Sequence, residues 1–246
     1  MKIADRIHLV GSGRNGLSLT DPIDCHAYLL DGGSECALID AGGGRDADGI
    51  VALIKSDGFD TSRVRHLFLT HAHADHAAGA AGLRERLVLH VHASPEVAAS
   101  VRSGDERFSS LGVARQAGVY PEDFTLDPCP VDVELADDQV VRVGDLSVRA
   151  ITTPGHSAGH LSFVLTYGGA TSVFCGDSFF FGGRILLQHI WDCSVQQSIV
   201  SVQRLASLDV DGLYPGHNTF CVRNGRQQFE PALRAIAALL PPPQMS

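Results

Sequence analysis

Long apolar runs are missing from this 246-residue chain. None approaches the ~18 consecutive residues of a membrane-crossing helix, so no membrane partner is expected. The opening stretch, residues 1–16, has no continuous apolar core of the kind that directs secretion, and no signal peptide is expected. Basic residues are also few. The 19 Lys and Arg stand against 28 Asp and Glu, a formal net charge of -9. Without Lys/Arg blocks there is no footprint for a phosphate backbone, which argues against nucleic acid as a partner. Paired cysteines are lacking too. Cys25, Cys36, Cys129, Cys175, Cys193 and Cys221 include no C-x-x-C spacing, so a cysteine zinc site is not expected. They read as free thiols of a reducing compartment, which predicts a cytoplasmic protein.

What remains is globular material, 44% hydrophobic and 19% charged, enough for a substantial core. Short apolar runs at Ile7–Val10, His26–Leu30 and Ala37–Ile39 read as strands separated by Gly/Asp turns. Asp46–Ser56 has helical spacing, Val64–Thr70 reads as a strand, His76–Arg86 as a helix and Leu87–Val91 as a strand. Ser94-Pro95-Glu96 opens a helix as N-cap and first-turn proline. Residues 94–124 form a helical insertion, a lid or subunit contact by this reading, with a second helix over Asp105–Gly118. Strands follow at Val131–Leu135, Val140–Val143, Leu146–Thr152, Leu161–Tyr167 and Thr171–Cys175. Ser194–Leu208 is an amphipathic helix, Gly212–Tyr214 a strand, and Gln227–Leu240 a last helix stopped by Pro241-Pro242-Pro243. No linker divides the chain, so residues 1–246 read as one domain. Both halves run from β-meander to α/β, which fits two sheets packed face to face with helices outside.

Two motifs compete for the chemistry. Gly11-Ser12-Gly13-Arg14-Asn15-Gly16 matches the dinucleotide fingerprint G-x-G-x-x-G. That fingerprint needs a helix to open behind it and receive the pyrophosphate. Here the chain reaches Pro22 through turn residues instead, so the motif is a glycine loop. The second motif is Thr70-His71-Ala72-His73-Ala74-Asp75-His76, four metal-capable side chains at the end of a strand. Imidazole and carboxylate suit zinc and similar divalent ions, and alanine spacers leave room. His156, Asp177 and His217 each follow a strand-like run and a small or turn residue, the placement that presents a side chain at a sheet rim.

HxHxDH, then Pro154-Gly155-His156-Ser157-Ala158-Gly159-His160, then Gly176-Asp177, then Pro215-Gly216-His217 resembles the pattern of the metallo-β-lactamase superfamily. Leu38-Ile39-Asp40-Ala41-Gly42 is similar to its earlier Asp-containing motif. The resemblance implies an α/β fold, the αββα four-layer sandwich with two mixed β-sheets. It implies two divalent metal ions, with zinc first and manganese, iron or cobalt open. His71, His73 and His156 would hold one, Asp75, His76 and His217 the other, and Asp177 would bridge. A metal-bridging hydroxide would then be the nucleophile, with Asp75 and Asp177 the catalytic carboxylates. Asp40 is a candidate for accepting the other N–H of a ligating histidine or for pinning the His71–His76 loop, and His160 for a structural role. His26 and His189 are expected toward the cleft. His8, His66, His90 and His92 are expected to play no part in the chemistry.

The expected partner is a small-molecule substrate, and a homodimer is allowed. The expected reaction is hydrolysis of a carboxylic ester, thioester or lactone. Cleavage of a β-lactam is one alternative. The other is mono-iron persulfide dioxygenation, with iron on His71, His156 and Asp177 only. Twenty-nine residues follow His217 (246 minus 217), fewer than the helical C-terminal region that the resemblance associates with glutathione. Homoserine-lactone hydrolases of the family commonly place a Tyr shortly after the bridging Asp. Ser178-Phe179-Phe180-Phe181 stands here instead, an apolar loop expected to line an acyl pocket or to pack in the core.

Overall fold

A computed structural model describes residues 1–245. Their contacts group into two compact units. The first holds Met1–Leu135 with Val143–Asp145, the second Ala136–Arg142 and the chain from Leu146 onward. The expected α/β class with two mixed sheets is what the chain adopts.

The first unit is built on seven strands in chain order: β1 Lys2–Ala4, β2 Ile7–Gly11, β3 Ala27–Asp31, β4 Cys36–Ile39, β5 Val64–Phe68, β6 His90–Ala93 and β7 Val133–Glu134. β1 to β4 form an antiparallel meander, and β4 to β7 are parallel. Parallel strands need crossovers, and α1 (Ala47–Ser56) supplies the first. Asp46 caps it by accepting from Gly49 N–H, and Ile50, Val51 and Ile54 face inward.

After β5 the expected single helix is two, α2 Ala74–Ala77 and α3 Gly79–Arg86. The break has a local cause. Gly79 N–H donates to Gly42 O at 2.9 Å, outside its own helix. A Cβ at Gly79 would lie 2.0 Å from Ala41 O, so only glycine fits that approach. β5 stops two residues earlier than expected because Thr70 N–H turns to the Asp40 carboxylate. β6 starts later because Leu87 still caps α3 through Leu83 O. No helix opens at Gly16; Leu19 and Thr20 N–H return to Ser12 O.

The segment 94–124 carries α4 Pro95–Ser103 and α5 Leu111–Gln116. Ser94 accepts from Val97 N–H, Pro95 opens α4, and Gly104 ends it at φ +64. The expected Asp105–Gly118 helix shrinks to α5, because Asp105 Oδ1 accepts from Arg107 and Phe108 N–H and closes a turn instead. Val97, Ala98, Val101, Leu111 and Phe124 are buried in the first unit's core, so much of this segment is core material and not a lid.

The second unit's sheet has the order β12-β11-β10-β9-β8, from β8 Val140–Val143, β9 Leu146–Thr152, β10 Leu161–Tyr167, β11 Ala170–Gly176 and β12 Gly212–Pro215. Only β11 and β12 are parallel, joined through α6 Val195–Ala206. The last helix, α7, spans Glu230–Ala237 after a 3-10 turn over Gly225–Phe229. It ends before the prolines, and Leu239, just past its C-cap Ala238, has φ +60. All six cysteines are free, and no helix among the described residues is long and apolar enough to cross a membrane.

Two measurements check this packing. Leu111→Ala is expected to cost about 2–5 kcal/mol in urea unfolding. A loss like that of an exposed site would place residues 94–124 outside the core. The other concerns His92, buried against Phe68 and bonded through Nε2 to His66 Nδ1 at 3.0 Å. Burial first, then repulsion from His66 and His90, lowers its pKa from 6.5 to about 4. The folded chain therefore binds fewer protons than the unfolded chain between those values. His92's contribution is complete above about pH 6.5 and is lost as pH falls toward about 4, by up to about 3 kcal/mol. The urea midpoint of His92→Gln should fall less steeply over that window than that of the wild type.

Candidate metal centre

In the first unit the site starts at Asp40, just past β4. Its φ of +61 opens the turn Ala41-Gly42-Gly43-Gly44, and its side chain is buried. Oδ1 accepts from Thr70 N–H at 2.7 Å. Oδ2 accepts from Thr70 Oγ1 at 2.8 Å and from His76 Nδ1 at 2.8 Å. A carboxylate only accepts, so His76 must carry its proton on Nδ1, which leaves the Nε2 lone pair for a cation. Thr70, having given its hydroxyl proton to Asp40, can only accept from His71. Its Oγ1 lies 2.9 Å from His71 Nδ1, so His71 also carries its proton on Nδ1. Asp40 thus does the pinning expected of it, for two histidines at once.

His71, His73 and His76 are buried together, with ring centroids 4.6 Å (His71–His73) and 4.1 Å (His71–His76) apart. His73 stands at the N-cap of α2, and Asp75 and His76 occupy its single turn. Asp75 Oδ2 lies 3.8 Å from His76 Nε2. Its Oδ1 accepts from Tyr120 Oη at 2.6 Å. Sequence reasoning missed Tyr120. Beneath the loop Cys25 is fully buried near His76 and Asp40, and burial pushes its thiol up to about 12, so it stays protonated. Asp24 Oδ1 steadies the glycine turn by accepting from Gly43 N–H at 2.7 Å.

In the second unit His156, Asp177 and His217 meet. His156 follows β9, Asp177 follows β11 and His217 follows β12. His156 Nε2 lies 3.7 Å and His217 Nε2 3.6 Å from the same atom, Asp177 Oδ2. Two ligands at 2.0–2.1 Å on a tetrahedral cation stand about 3.4 Å apart. The spacings in both units are those of neighbours sharing a cation, longer than direct hydrogen bonds. By donor chemistry and spacing the residues fit a divalent metal.

The supports differ from those of the first unit. His156 Nδ1 donates to Leu186 O at 3.3 Å, so the loop after Asp177 orients a histidine. His160 Nε2 accepts from Asp177 N–H at 3.3 Å, which puts its proton on Nδ1, 3.0 Å from Thr153 Oγ1. Thr153 Oγ1 and Ser162 Oγ are hydrogen-bonded at 2.8 Å. His160 is therefore a support for Asp177's backbone, as expected. Phe179 and Phe180 are buried, and Phe179 stacks on Phe229 at 4.2 Å, so core packing claims them; only Phe181 of the three is exposed. His26 is buried beside Gly16, where a Cβ would lie 2.3 Å from its ring, while His189 is exposed.

Asp40→Asn is expected to keep the left-handed backbone, which asparagine tolerates, while turning one acceptor into a donor. Either Thr70 or His76 then loses its match, at about 1–3 kcal/mol by urea unfolding. Asp40→Ala should cost more, because three donors lose their acceptor and alanine is strained at φ +61. Equal costs for the two variants would contradict the network.

The chain can now be set beside known proteins. It is 27% identical over 217 residues to a hydroxyacylglutathione hydrolase of Acidiphilium cryptum, covering 87% of this chain and 73% of that one. It is 27% identical over 206 residues to an atrochrysone carboxyl ACP thioesterase of Aspergillus fumigatus, covering 83% of this chain and 54% of that one. The chain thus spans between about half and three quarters of these relatives' length. Its fold is similar to the native FEZ-1 metallo-beta-lactamase from Legionella gormanii, with a TM-score of 0.71 at 21% identity over 95% of this chain and 92% of that one. The sequence profile of the metallo-beta-lactamase superfamily matches residues 20–217, from just past the glycine loop to the last ligand-type histidine, and the chain belongs to that superfamily.

Proposed function

We propose that this protein is a dinuclear metal-dependent hydrolase that cleaves a carboxylic ester, thioester or lactone, with the thioester favoured. In this reading His71, His73 and His156 hold one divalent cation, Asp75, His76 and His217 hold the other, and Asp177 bridges. Residues 1–246 then work as one catalytic domain, in keeping with a family match that runs unbroken from 20 to 217. The observation that carries the reading is the convergence of His156 and His217 on one oxygen of Asp177 at cation-sharing distances.

When bound, a divalent pair supplies an acidified water as nucleophile and polarises the scissile carbonyl. The chain's own residues do the rest. Asp40, through His76 directly and His71 by way of Thr70, fixes the Nδ1 proton of each imidazole and aims it by Nε2. Asp75 relays a proton of the attacking water to the leaving sulfur or oxygen. Two relatives, by name, release acyl groups from thiol carriers, glutathione in one case and an acyl carrier protein in the other, which favours a thioester. The donor set is all nitrogen and oxygen, which suits zinc first and accommodates manganese, iron or cobalt.

Metal analysis joined to a substrate panel tests this. The expected result is two divalent ions per chain, with thioester turnover that chelation abolishes and zinc restores. One iron per chain with oxygen consumed in the presence of a persulfide overturns the reading. So does a fully metallated chain that cleaves only β-lactams.

A further inference from the structure

Tyr120 lies in the loop between α5 and β7, in the stretch whose sequence gave no hint of chemistry. Its phenol donates to Asp75 Oδ1 at 2.6 Å, across 45 positions of chain. The contact is built into the fold. The Tyr120 ring stacks on Phe124, with centroids 5.0 Å apart and planes at 29°. Phe124 is buried, and a Cβ at Gly43 would come within 3.1 Å of its Cζ, so the ring lies directly on the Asp40–Gly44 turn. Arg45 covers the Phe124 ring at 5.4 Å and donates to Asp123 Oδ1 at 2.6 Å. Arg115 Nη1 donates to Phe124 O at 3.0 Å, tying α5 to the same loop. The turn that orients His76 and the loop that carries Tyr120 are therefore braced against each other.

The two oxygens of Asp75 consequently have different jobs. Oδ1 accepts the phenol proton, while Oδ2 stands 3.8 Å from His76 Nε2, the spacing of two ligands on one cation. An unrestrained carboxylate turns about its last torsion and offers either oxygen or both. A phenol on Oδ1 stops that rotation and draws on that oxygen's lone pairs, so ligation is through Oδ2 alone. We propose that Tyr120 is a positioning residue which makes Asp75 a one-oxygen ligand, an inference that rests on the metal reading above. The loop 117–124 is then a strap that locks the Asp75 carboxylate.

Tyr120→Phe tests this, because it deletes the hydroxyl and keeps the stacked ring. The metal-free full-length chain is titrated with zinc against a chromophoric chelator, beside the wild type and Asp75→Asn. The equivalent that Asp75→Asn weakens is expected to weaken in Tyr120→Phe as well, by about 10–100-fold, with the other equivalent unchanged. The melting temperature of the metal-free variant is expected to match the wild type. Wild-type affinity for both equivalents overturns the proposal, as does equal weakening of both. A metal-free Tyr120→Phe that melts early or fails to fold overturns it too, since the hydroxyl is then a structural prop. A wild-type chain that binds no second equivalent overturns the proposal together with the reading beneath it. Two tight equivalents in both proteins overturn the proposal alone.

Discussion

A carboxylate accepts hydrogen bonds and never donates them, and Asp40 imposes that one-sidedness on everything around it. Thr70 gives it both an amide and a hydroxyl proton, and His76 gives it an Nδ1 proton. Each bond fixes a direction that the next group inherits. Thr70, having no proton left, accepts from His71. One buried acid thus sets the tautomer of two imidazoles without touching the second of them. Burying it unmatched would cost several kcal/mol, so the three donors are a condition of the fold as much as of the site.

The second unit reaches a similar end by other means. There the fixed point is a backbone amide, which can only donate. Asp177 N–H points at His160 Nε2, and the direction runs on from His160 Nδ1 to Thr153. Both devices start from a group with a single hydrogen-bonding sense and pass that sense along short polar side chains. Hydroxyls are useful in this role because they donate and accept at once and rotate to suit. Thr70 and Thr153 sit where a valine of equal shape would break the relay.

The four ligand-type residues of the first unit were readable because they are local. His71, His73, Asp75 and His76 share one backbone excursion after β5, and spacing alone displays them. Ser94-Pro95 was readable for the same reason, since a cap and its helix are neighbours. What escaped depends on contacts between distant residues. The break between α2 and α3 exists because Gly79 approaches Ala41, which helix periodicity does not record. Phe179 looked equally fit for a pocket or a core until Phe229 stacked on it. Tyr120 reaches Asp75 only because Phe124 rests on Gly43, and nothing in the 94–124 pattern marks that.

The same division explains why the chain declares its metal chemistry more clearly than its substrate. Ligand-type side chains hang from strand ends and are locked by buried hydrogen bonds, so few residue types serve and the sequence is constrained there. Several large apolar side chains left exposed lie on loops: Leu17 and Leu19 just past the glycine loop of the first unit, Phe181 and Trp191 between β11 and α6 of the second. Loop residues carry little of the folding energy and can change without disturbing a carboxylate such as Asp40. Substrate choice in such a fold is therefore expected to vary in these loops while the metal-binding frame stays put, which is how relatives at about a quarter identity can bear names as different as hydroxyacylglutathione hydrolase and atrochrysone carboxyl ACP thioesterase.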